Sequence, residues 1–198
     1  MLGRLGPLLD LPEIARVVLI VRHPCGQVAS MLRQIDKEGP GSTLAASALP
    51  DSPMGRRRGL TTADLAEMPP VDVLAWKWLA FNEAALEAIA DHDKAIVIAY
   101  DTSLRDMDTG LTRLFDFLNL DIEQQTRDFV AKSTSDGEGA GYYSLRRDPA
   151  KAATRWQTQP SPDQIARIES IVTGSQTASL FGIPAANGLP ADAEAFPT

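Results

Sequence analysis

The chain has 198 residues, with 19 basic and 26 acidic side chains and a formal net charge of −7. This length suits a single domain with a sizeable core and is short for two ordinary domains. The negative charge argues against general nucleic-acid binding and against attachment to an anionic membrane.

The cysteine and histidine content argues against disulfide-bonded and metal-binding classes of protein. With one cysteine, Cys25, the chain can form neither an internal disulfide nor a thiolate metal cage. Its two histidines add too few ligands for a dedicated zinc site, so we expect no metal. The longest apolar run falls far short of the ~20 residues of a spanning helix, and the N-terminus has no signal-peptide pattern. We therefore expect a soluble, cytoplasmic protein.

The first predicted elements are a strand at roughly 16–22 and a helix at roughly 24–36. The strand has five consecutive branched apolar residues, a pattern typical of a strand buried on both faces in a parallel sheet. Arg22 follows at its carboxyl end, where open α/β sheets bind ligands, and Pro24 suits the first helical position. Ser30 lies about 9 Å further along the helix at ~1.5 Å per residue. A guanidinium folded back along the helix and this hydroxyl could hold the same phosphate.

This strand, Arg-x-Pro and helix unit, with Ser30 eight residues after Arg22, resembles a segment of a known enzyme family. It is similar to the 3′-phosphate-binding segment of sulfotransferases that use 3′-phosphoadenosine 5′-phosphosulfate (PAPS). The resemblance implies that Arg22 and Ser30 bind the 3′-phosphate of this co-substrate. The residues alone leave an alternative open, because an arginine at a strand end often only pairs with a surface carboxylate. His23 is interpreted as a helix-start residue rather than as the general base.

The segment from about 39 to 70 is rich in Gly, Pro, Ser, Thr and Ala and is longer than an ordinary connection. We predict a flexible insert here, which is either a functional lid or disordered. Arg56, Arg57 and Arg58 lie in its middle. They could attract an anionic acceptor or the sulfonate donor, but a solvated charge run on a mobile loop is the interpretation that we favour.

Helix and strand patterns alternate in the next part of the chain. Apolar residues recur at spacings of three and four after Val71, which predicts a helix with one apolar face. Residues 95–100 have the pattern of a second buried strand, and 111–118 and 122–132 those of further helices. This alternation favours an α/β layer architecture with a parallel sheet.

Tyr100, at the end of the second predicted strand, is a further candidate site residue. The strand, Tyr100-Asp101 and a helix that ends in Phe-Leu-Asn-Leu are similar to a sulfotransferase pattern. In that pattern the strand ends in Tyr-Glu-Asp-Leu and the helix in Phe-Leu-Gly-Leu. The resemblance implies that Tyr100 lies near the donor's adenine, where an aromatic ring can stack on a base. Thr102 departs from the family's usual acidic pair, and a core role for Tyr100 with a solvated hydroxyl stays open.

A polar, glycine-rich loop at 133–141 precedes a basic segment with Arg146 and Arg147. This segment, Trp156 and a final helix follow one another in an order that resembles the sulfotransferase C-terminal region, where a basic loop reaches the donor's 3′-phosphate. The resemblance implies that role for Arg146 and Arg147. The family's Arg-Lys-Gly form is absent, however, and both could be exposed charges. Trp156 is interpreted as a packing residue, and Ser161 begins a capping-box pattern that predicts the start of the final helix.

The three similar segments lie in the family's order and cover about Leu11 to Leu180. The resemblance implies a three-layer α/β fold, with a parallel sheet flanked by helices, of the P-loop NTPase-like sulfotransferase type. It implies one partial domain over residues 1–183, and 184–198 is expected to be a disordered tail. Residues 1–15 contain neither a lysine nor the Pro-Lys-Ser-Gly-Thr-Thr loop that would cradle the 5′-phosphosulfate. We therefore expect the fold to be N-terminally incomplete.

Two explanations of the missing loop remain open. In the first, which we favour, the chain is the C-terminal two-thirds of a sulfotransferase and is inactive alone. The whole enzyme would transfer a sulfuryl group from PAPS to a hydroxyl or amine of a small-molecule or carbohydrate acceptor. In the second, the chain is a complete, non-catalytic nucleotide-binding or interaction module. The sequence assigns no catalytic residue, and an unpaired edge of the first strand would allow oligomerisation.

Overall fold

The structure is a computed structural model that describes residues 5–39, 48–134 and 149–184. Within these ranges the chain is rich in helices and has a small parallel sheet. In chain order the elements are α1 (Leu5–Leu9), β1 (Val17–Val21), α2 (Pro24–Glu38), α3 (Pro53–Arg58), α4 (Thr62–Glu67), α5 (Pro70–Ile89), β2 (Ala95–Ala99), α6 (Tyr100–Arg105), α7 (Met107–Leu118), α8 (Gln124–Thr134), α9 (Pro149–Thr154), a 3-10 turn (Arg155–Gln157), α10 (Pro162–Val172) and α11 (Gln176–Ser179).

The sheet in the described part of the chain consists of β1 and β2, which pair in parallel with Val21 opposite Ala99. Both strands form where they were predicted, but the predicted burial on both faces is not observed: in β1 only Val21 is buried, and Ile20 is 62% exposed. Helices lie between them in the chain and form the crossover that a parallel pair requires. Tyr100, predicted as the last residue of the second strand, is instead the first residue of α6. The equal register means that Arg22 and Tyr100 leave the sheet side by side at its carboxyl edge.

The core is centred on α5, which buries nine of its twenty residues. Helices α2 and α10 pack against it, as do the short helices α1, α3 and α11. Leu9, Leu74 and Ile168, from α1, α5 and α10, are among the largest fully buried side chains. A helix that is apolar over much of its surface must be covered on several sides, which explains why the other helices gather around α5.

The structure differs from the flexible insert predicted for residues 39–70. Residues 53–58 form α3 and residues 62–67 form α4, while 40–47 lie outside the described residues. Arg56, Arg57 and Arg58 therefore lie on a short helix rather than on a loop.

Local capping and burial explain these two helices. Ser52 caps α3 by accepting a hydrogen bond of 2.9 Å from a main-chain N–H of its first turn. Thr61 and Asp64 form a capping box at the start of α4. Leu49 and Met54 are buried in the core, so the segment is held against the protein. The composition of this segment predicted a loop. Capping and burial instead depend on which residues occupy individual positions.

Several predicted helix boundaries agree closely with the structure. The helix predicted at 24–36 is α2, which ends at Gly39 with a φ of 83°, a value that favours glycine. The capping box predicted at Ser161 is present, with Gln164 as its second member. Of the tail predicted for 184–198, the residues from 185 onward lie outside the described ranges. The chain thus has an α/β fold with a small parallel sheet among many helices.

Candidate functional site

A pocket of about 260 Å³ opens at the carboxyl edge of the sheet. The described residues that line it are, in chain order, Ile20, Arg22, Gln27, Tyr100, Ala152 and Arg155. Two of the six are arginines and none is acidic. A pocket with two guanidinium groups is suited to an anion, since each can donate paired hydrogen bonds to phosphate or carboxylate oxygens.

Arg22 and Tyr100 come together because they follow two paired strands. The Cζ atom of Arg22 lies 5.9 Å from the centroid of the Tyr100 ring. This distance is within the range of a cation–π contact, so the two side chains that the sequence suggested separately share one wall of the pocket. The ring is half-buried and lines the pocket.

The guanidinium of Arg22 lies against the first turn of α2. A Cβ atom built on Gly26 would lie 3.2 Å from Nε and 3.6 Å from Cζ of Arg22. Nε is buried and has no hydrogen-bond partner in the described part of the chain, where Arg22 also forms no ion pair with a carboxylate. A buried, unpaired donor is costly, so this group has hydrogen-bonding capacity to offer a ligand or a water molecule. The main-chain oxygen of Arg22 accepts a 3.0 Å hydrogen bond from Trp78 Nε1.

His23, next in the chain, is a structural residue of the helix start, as predicted. It is the N-cap of α2, and its Nδ1 accepts a hydrogen bond of 3.3 Å from the Cys25 main-chain N–H. Its ring stacks on Trp156, with centroids 3.7 Å apart and planes 8° from parallel. Burial lowers the pKa of His23 to about 4, and the positive charges of Arg105 and Arg22 add to this effect. The imidazole is therefore neutral at pH 7 and contributes no charge to the pocket.

Asp101, in the first turn of α6, fixes the same turn. Its Oδ2 accepts a 2.6 Å hydrogen bond from the His23 main-chain N–H, and its side chain is buried. Its Oδ1 has no hydrogen-bond partner in the described residues. Burial raises the pKa of Asp101, and the hydrogen bond from His23 and the nearby Arg22 oppose that rise. In the sequence, Asp101 was noted only as part of the Tyr100-Asp101 pattern, and Thr102 was the departure from the family's acidic pair.

Of the other site residues predicted from sequence, only Ser30 lies in the described part of the chain. Ser30 is half-buried on α2 and is not one of the residues that line the pocket. Arg146 and Arg147 lie outside the described residues, so their predicted role stays a prediction. Trp156 packs on His23, in agreement with its interpretation as a packing residue.

Four of the six lining residues were not predicted from the sequence, and two of these, Gln27 and Arg155, have polar side chains. Gln27 lies one turn into α2, and Arg155 lies in the 3-10 turn after α9. Arg155 directly precedes Trp156, so its place follows from the stacking of that ring on His23. The neighbouring Trp156 could have indicated Arg155 in the sequence. For Gln27 the sequence offered only its position in the helix that begins after Arg22.

The three arginines of α3 interact with neighbouring groups. Arg57 forms an ion pair of 3.2 Å with Glu87, and Arg58 lies over the ring of Trp76 at 5.9 Å. Arg56 donates to the main-chain oxygen of Asp51. These contacts differ from the predicted charge run on a mobile loop, although Arg57 and its partner are both exposed.

Metal-binding clusters and membrane-spanning helices are absent from the described residues. No group of three His, Cys, Asp or Glu side chains there could hold a metal ion. No helix among residues 5–39, 48–134 and 149–184 is long and apolar enough to cross a membrane.

These features define an α/β protein with a basic pocket at the carboxyl edge of a parallel sheet. No family model matches the sequence, and no curated protein matches it. Among solved structures, the fold is similar to a sulfotransferase domain from the curacin biosynthetic pathway, with a TM-score of 0.50 and 18% identity. The match covers 91% of this chain and 59% of that one, so the chain spans less than two-thirds of its neighbour's length. The chain therefore has a fold like that of a sulfotransferase domain.

Proposed function

We propose that the chain carries the 3′-phosphoadenosine half of a PAPS site and belongs to a sulfotransferase. The observation that carries the proposal is the pocket with Arg22, Tyr100 and Arg155, which lies at the carboxyl edge of the sheet in a fold similar to a sulfotransferase domain. Ligands of open α/β sheets bind at this edge. The fold and the chemistry of the pocket thus support the same class of function.

The composition of the pocket matches one end of this nucleotide. A 3′-phosphate is a phosphate monoester with up to two negative charges, and Arg22 and Arg155 supply two positive ones. The half-buried ring of Tyr100 and the side chain of Ile20, which is 62% exposed, offer apolar surface beside the arginines. A purine base requires such a surface for stacking.

Three further residues are proposed as phosphate ligands from the sequence resemblance. Ser30 lies on the same helix as Gln27, and Arg146 and Arg147 precede α9 in the chain. The proposed role of Arg146 and Arg147 rests on the sequence resemblance alone.

The reaction of the whole enzyme is also a proposal. A sulfuryl group would pass from the phosphoanhydride oxygen of PAPS to a hydroxyl or amine of a small-molecule or carbohydrate acceptor. The acceptor would lose a proton, and adenosine 3′,5′-bisphosphate would leave. In this proposal β1 and β2 belong to a larger parallel sheet of P-loop type, flanked by helices in three layers. A phosphate-cradling loop with a lysine, a pattern absent from residues 1–15, would stabilise the transferred group. A cytoplasmic location stays a prediction.

Calorimetric titration tests the proposed binding. The wild-type chain should bind adenosine 3′,5′-bisphosphate more tightly than adenosine 5′-monophosphate, because only the former has the 3′-phosphate. Arg22→Ala should weaken binding of the bisphosphate by about 1.5–3 kcal/mol, the range for a charge-assisted hydrogen bond. Arg127→Ala, on the exposed surface of α8, is the matched control and should bind as the wild type does. Equal affinity for the two nucleotides would contradict the proposal.

Titration together with an assay of sulfate transfer distinguishes a second candidate function. A chain that binds the bisphosphate but never transfers sulfate, even with the phosphate loop supplied, would be a non-catalytic nucleotide-binding module.

A further inference from the structure

Gly26 lies in the first turn of α2, close to the guanidinium of Arg22 and to Trp156. A Cβ atom at this position would be 3.2 Å from Arg22 Nε and 3.4 Å from Trp156 Cβ. Both distances are shorter than the ~3.5–4.0 Å of an optimal contact between carbon atoms. A side chain at this position would therefore have to displace at least one neighbour.

Trp156 is the neighbour that is harder to move. Its ring is stacked on His23 at 3.7 Å, and the atom nearest to Gly26 is Cβ, which is fixed by the backbone. His23 is held in turn by the hydrogen bond between its main-chain N–H and Asp101. The Arg22 side chain ends in rotatable bonds, so the guanidinium would move first.

The fixed position of the Arg22 guanidinium affects anion binding because the pocket contains two positive charges. Arg22 and Arg155 both line it, and without an anion they repel each other. Packing against the bare backbone of Gly26 restricts Arg22 on one side, and the Tyr100 ring restricts it on the other. Preorganised donors bind an anion more tightly than donors that must first be ordered.

We infer that Gly26 is a positioning residue of the anion pocket, whose missing side chain lets Arg22 lie in the place where it binds phosphate. The inference rests on the proposed function, since it takes the 3′-phosphate of adenosine 3′,5′-bisphosphate as the ligand. It adds a residue that neither the motif nor the pocket lining contains. Gly26 acts through Arg22 and does not touch the ligand itself.

The test compares Gly26→Ala with Gly6→Ala. Gly6 lies on α1, and a Cβ built there meets nothing within 4 Å, so this variant is a control for glycine replacement in a helix. The higher helix propensity of alanine offsets part of the strain expected in Gly26→Ala, and thermal melting of both variants checks that they remain folded. Titration with adenosine 3′,5′-bisphosphate should show roughly tenfold weaker binding for Gly26→Ala and no change for Gly6→Ala.

A second readout follows Arg22 without any ligand. The ¹H–¹⁵N signal of Arg22 Nε, assigned by its loss in Arg22→Lys, should shift in Gly26→Ala and stay in place in Gly6→Ala. An unshifted signal would overturn the inference but leave the proposed function standing. The same holds for a Gly26→Ala variant that binds as tightly as a wild-type chain that does bind the bisphosphate. A wild-type chain that does not bind the bisphosphate would overturn the proposed function, and the inference with it.

Discussion

The main-chain N–H of His23 donates a 2.6 Å hydrogen bond to Oδ2 of Asp101. The bond joins the carboxyl ends of β1 and β2, one residue beyond the points where Arg22 and Tyr100 leave the strands. Asp101 is only 2% exposed, so water cannot easily replace it as the acceptor. The geometry of the pocket therefore depends on a residue that does not line it.

Replacement of Asp101 should reveal this dependence as a loss of stability. Asp101→Ala leaves the buried N–H of His23 without an acceptor, and we expect the free energy of unfolding to fall by about 1–3 kcal/mol. Asp101→Asn keeps an oxygen of similar size and position and should lose less. Urea unfolding measures both variants. Equal destabilisation by Ala and Asn would contradict a role based on the acceptor oxygen.

The neutral, buried His23 should make stability depend on pH. Its pKa is lowered from 6.5 to about 4 in the folded state, so between these values the unfolded chain binds the proton more readily. Stability is then full above about pH 6.5 and decreases as the pH falls towards 4, by at most about 1.4 kcal/mol per pH unit. His23→Asn retains an N-cap acceptor without titrating in this window, and its profile should be flatter.

Asp101 acts with the opposite sign. Its pKa is raised above 3.8 on folding, so its contribution to stability falls as the pH rises through the raised pKa. The relevant quantity is therefore the difference in free energy of unfolding between wild type and His23→Asn at each pH. A difference that stays constant from pH 6.5 to 4.5 would contradict the assignment of the lowered pKa to His23.

Arg155 should contribute less to nucleotide binding than Arg22, and in a more salt-dependent way. Arg155 is exposed, whereas Nε of Arg22 is buried. Exposed charge pairs contribute about 0–1 kcal/mol and are screened by salt. We expect Arg155→Ala to weaken binding of adenosine 3′,5′-bisphosphate within that range at low salt, with a smaller effect at high salt. Titration at two ionic strengths measures this, and a larger loss than for Arg22→Ala would contradict the ranking.

The 198-residue chain should not transfer sulfate by itself. Removal of a single donor from a preorganised anion hole costs ~10²–10³ in rate, and residues 1–15 contain no lysine or phosphate-cradling loop. The assay follows labelled sulfate from PAPS to phenols, sugars and amines. A longer chain with a strand and Pro-Lys-Ser-Gly-Thr-Thr loop upstream should show transfer in the same assay. Turnover by the 198 residues alone would contradict the proposed role of the loop.

Self-association through the sheet is a further expectation. In the described residues β1 pairs with β2 alone, and Ile20 on β1 is 62% exposed. An open strand edge with an exposed apolar side chain favours association. Sedimentation velocity should show larger species at high concentration, and Ile20→Lys should reduce them. A strictly monomeric wild type would contradict this expectation.

Elements with local signals in the sequence were predicted correctly. The branched apolar runs predicted β1 and β2, Pro24 predicted the start of α2, and Ser161 with Gln164 predicted the capping box of α10. Their order along the chain was enough to predict an α/β fold with a parallel sheet. Each of these signals depends on residues a few positions apart, so no knowledge of packing was needed.

Other features were decided by tertiary structure alone. Composition predicted a flexible insert where Leu49 and Met54 anchor α3 in the core, because burial depends on what the rest of the chain places nearby. Arg155 enters the pocket because Trp156 stacks on His23, more than 130 residues away in the chain. Gly26 acquires its importance only when the guanidinium of Arg22 folds over it. Contacts between distant residues leave no periodic pattern in a single sequence, so the strands could be predicted and the full lining of the pocket could not.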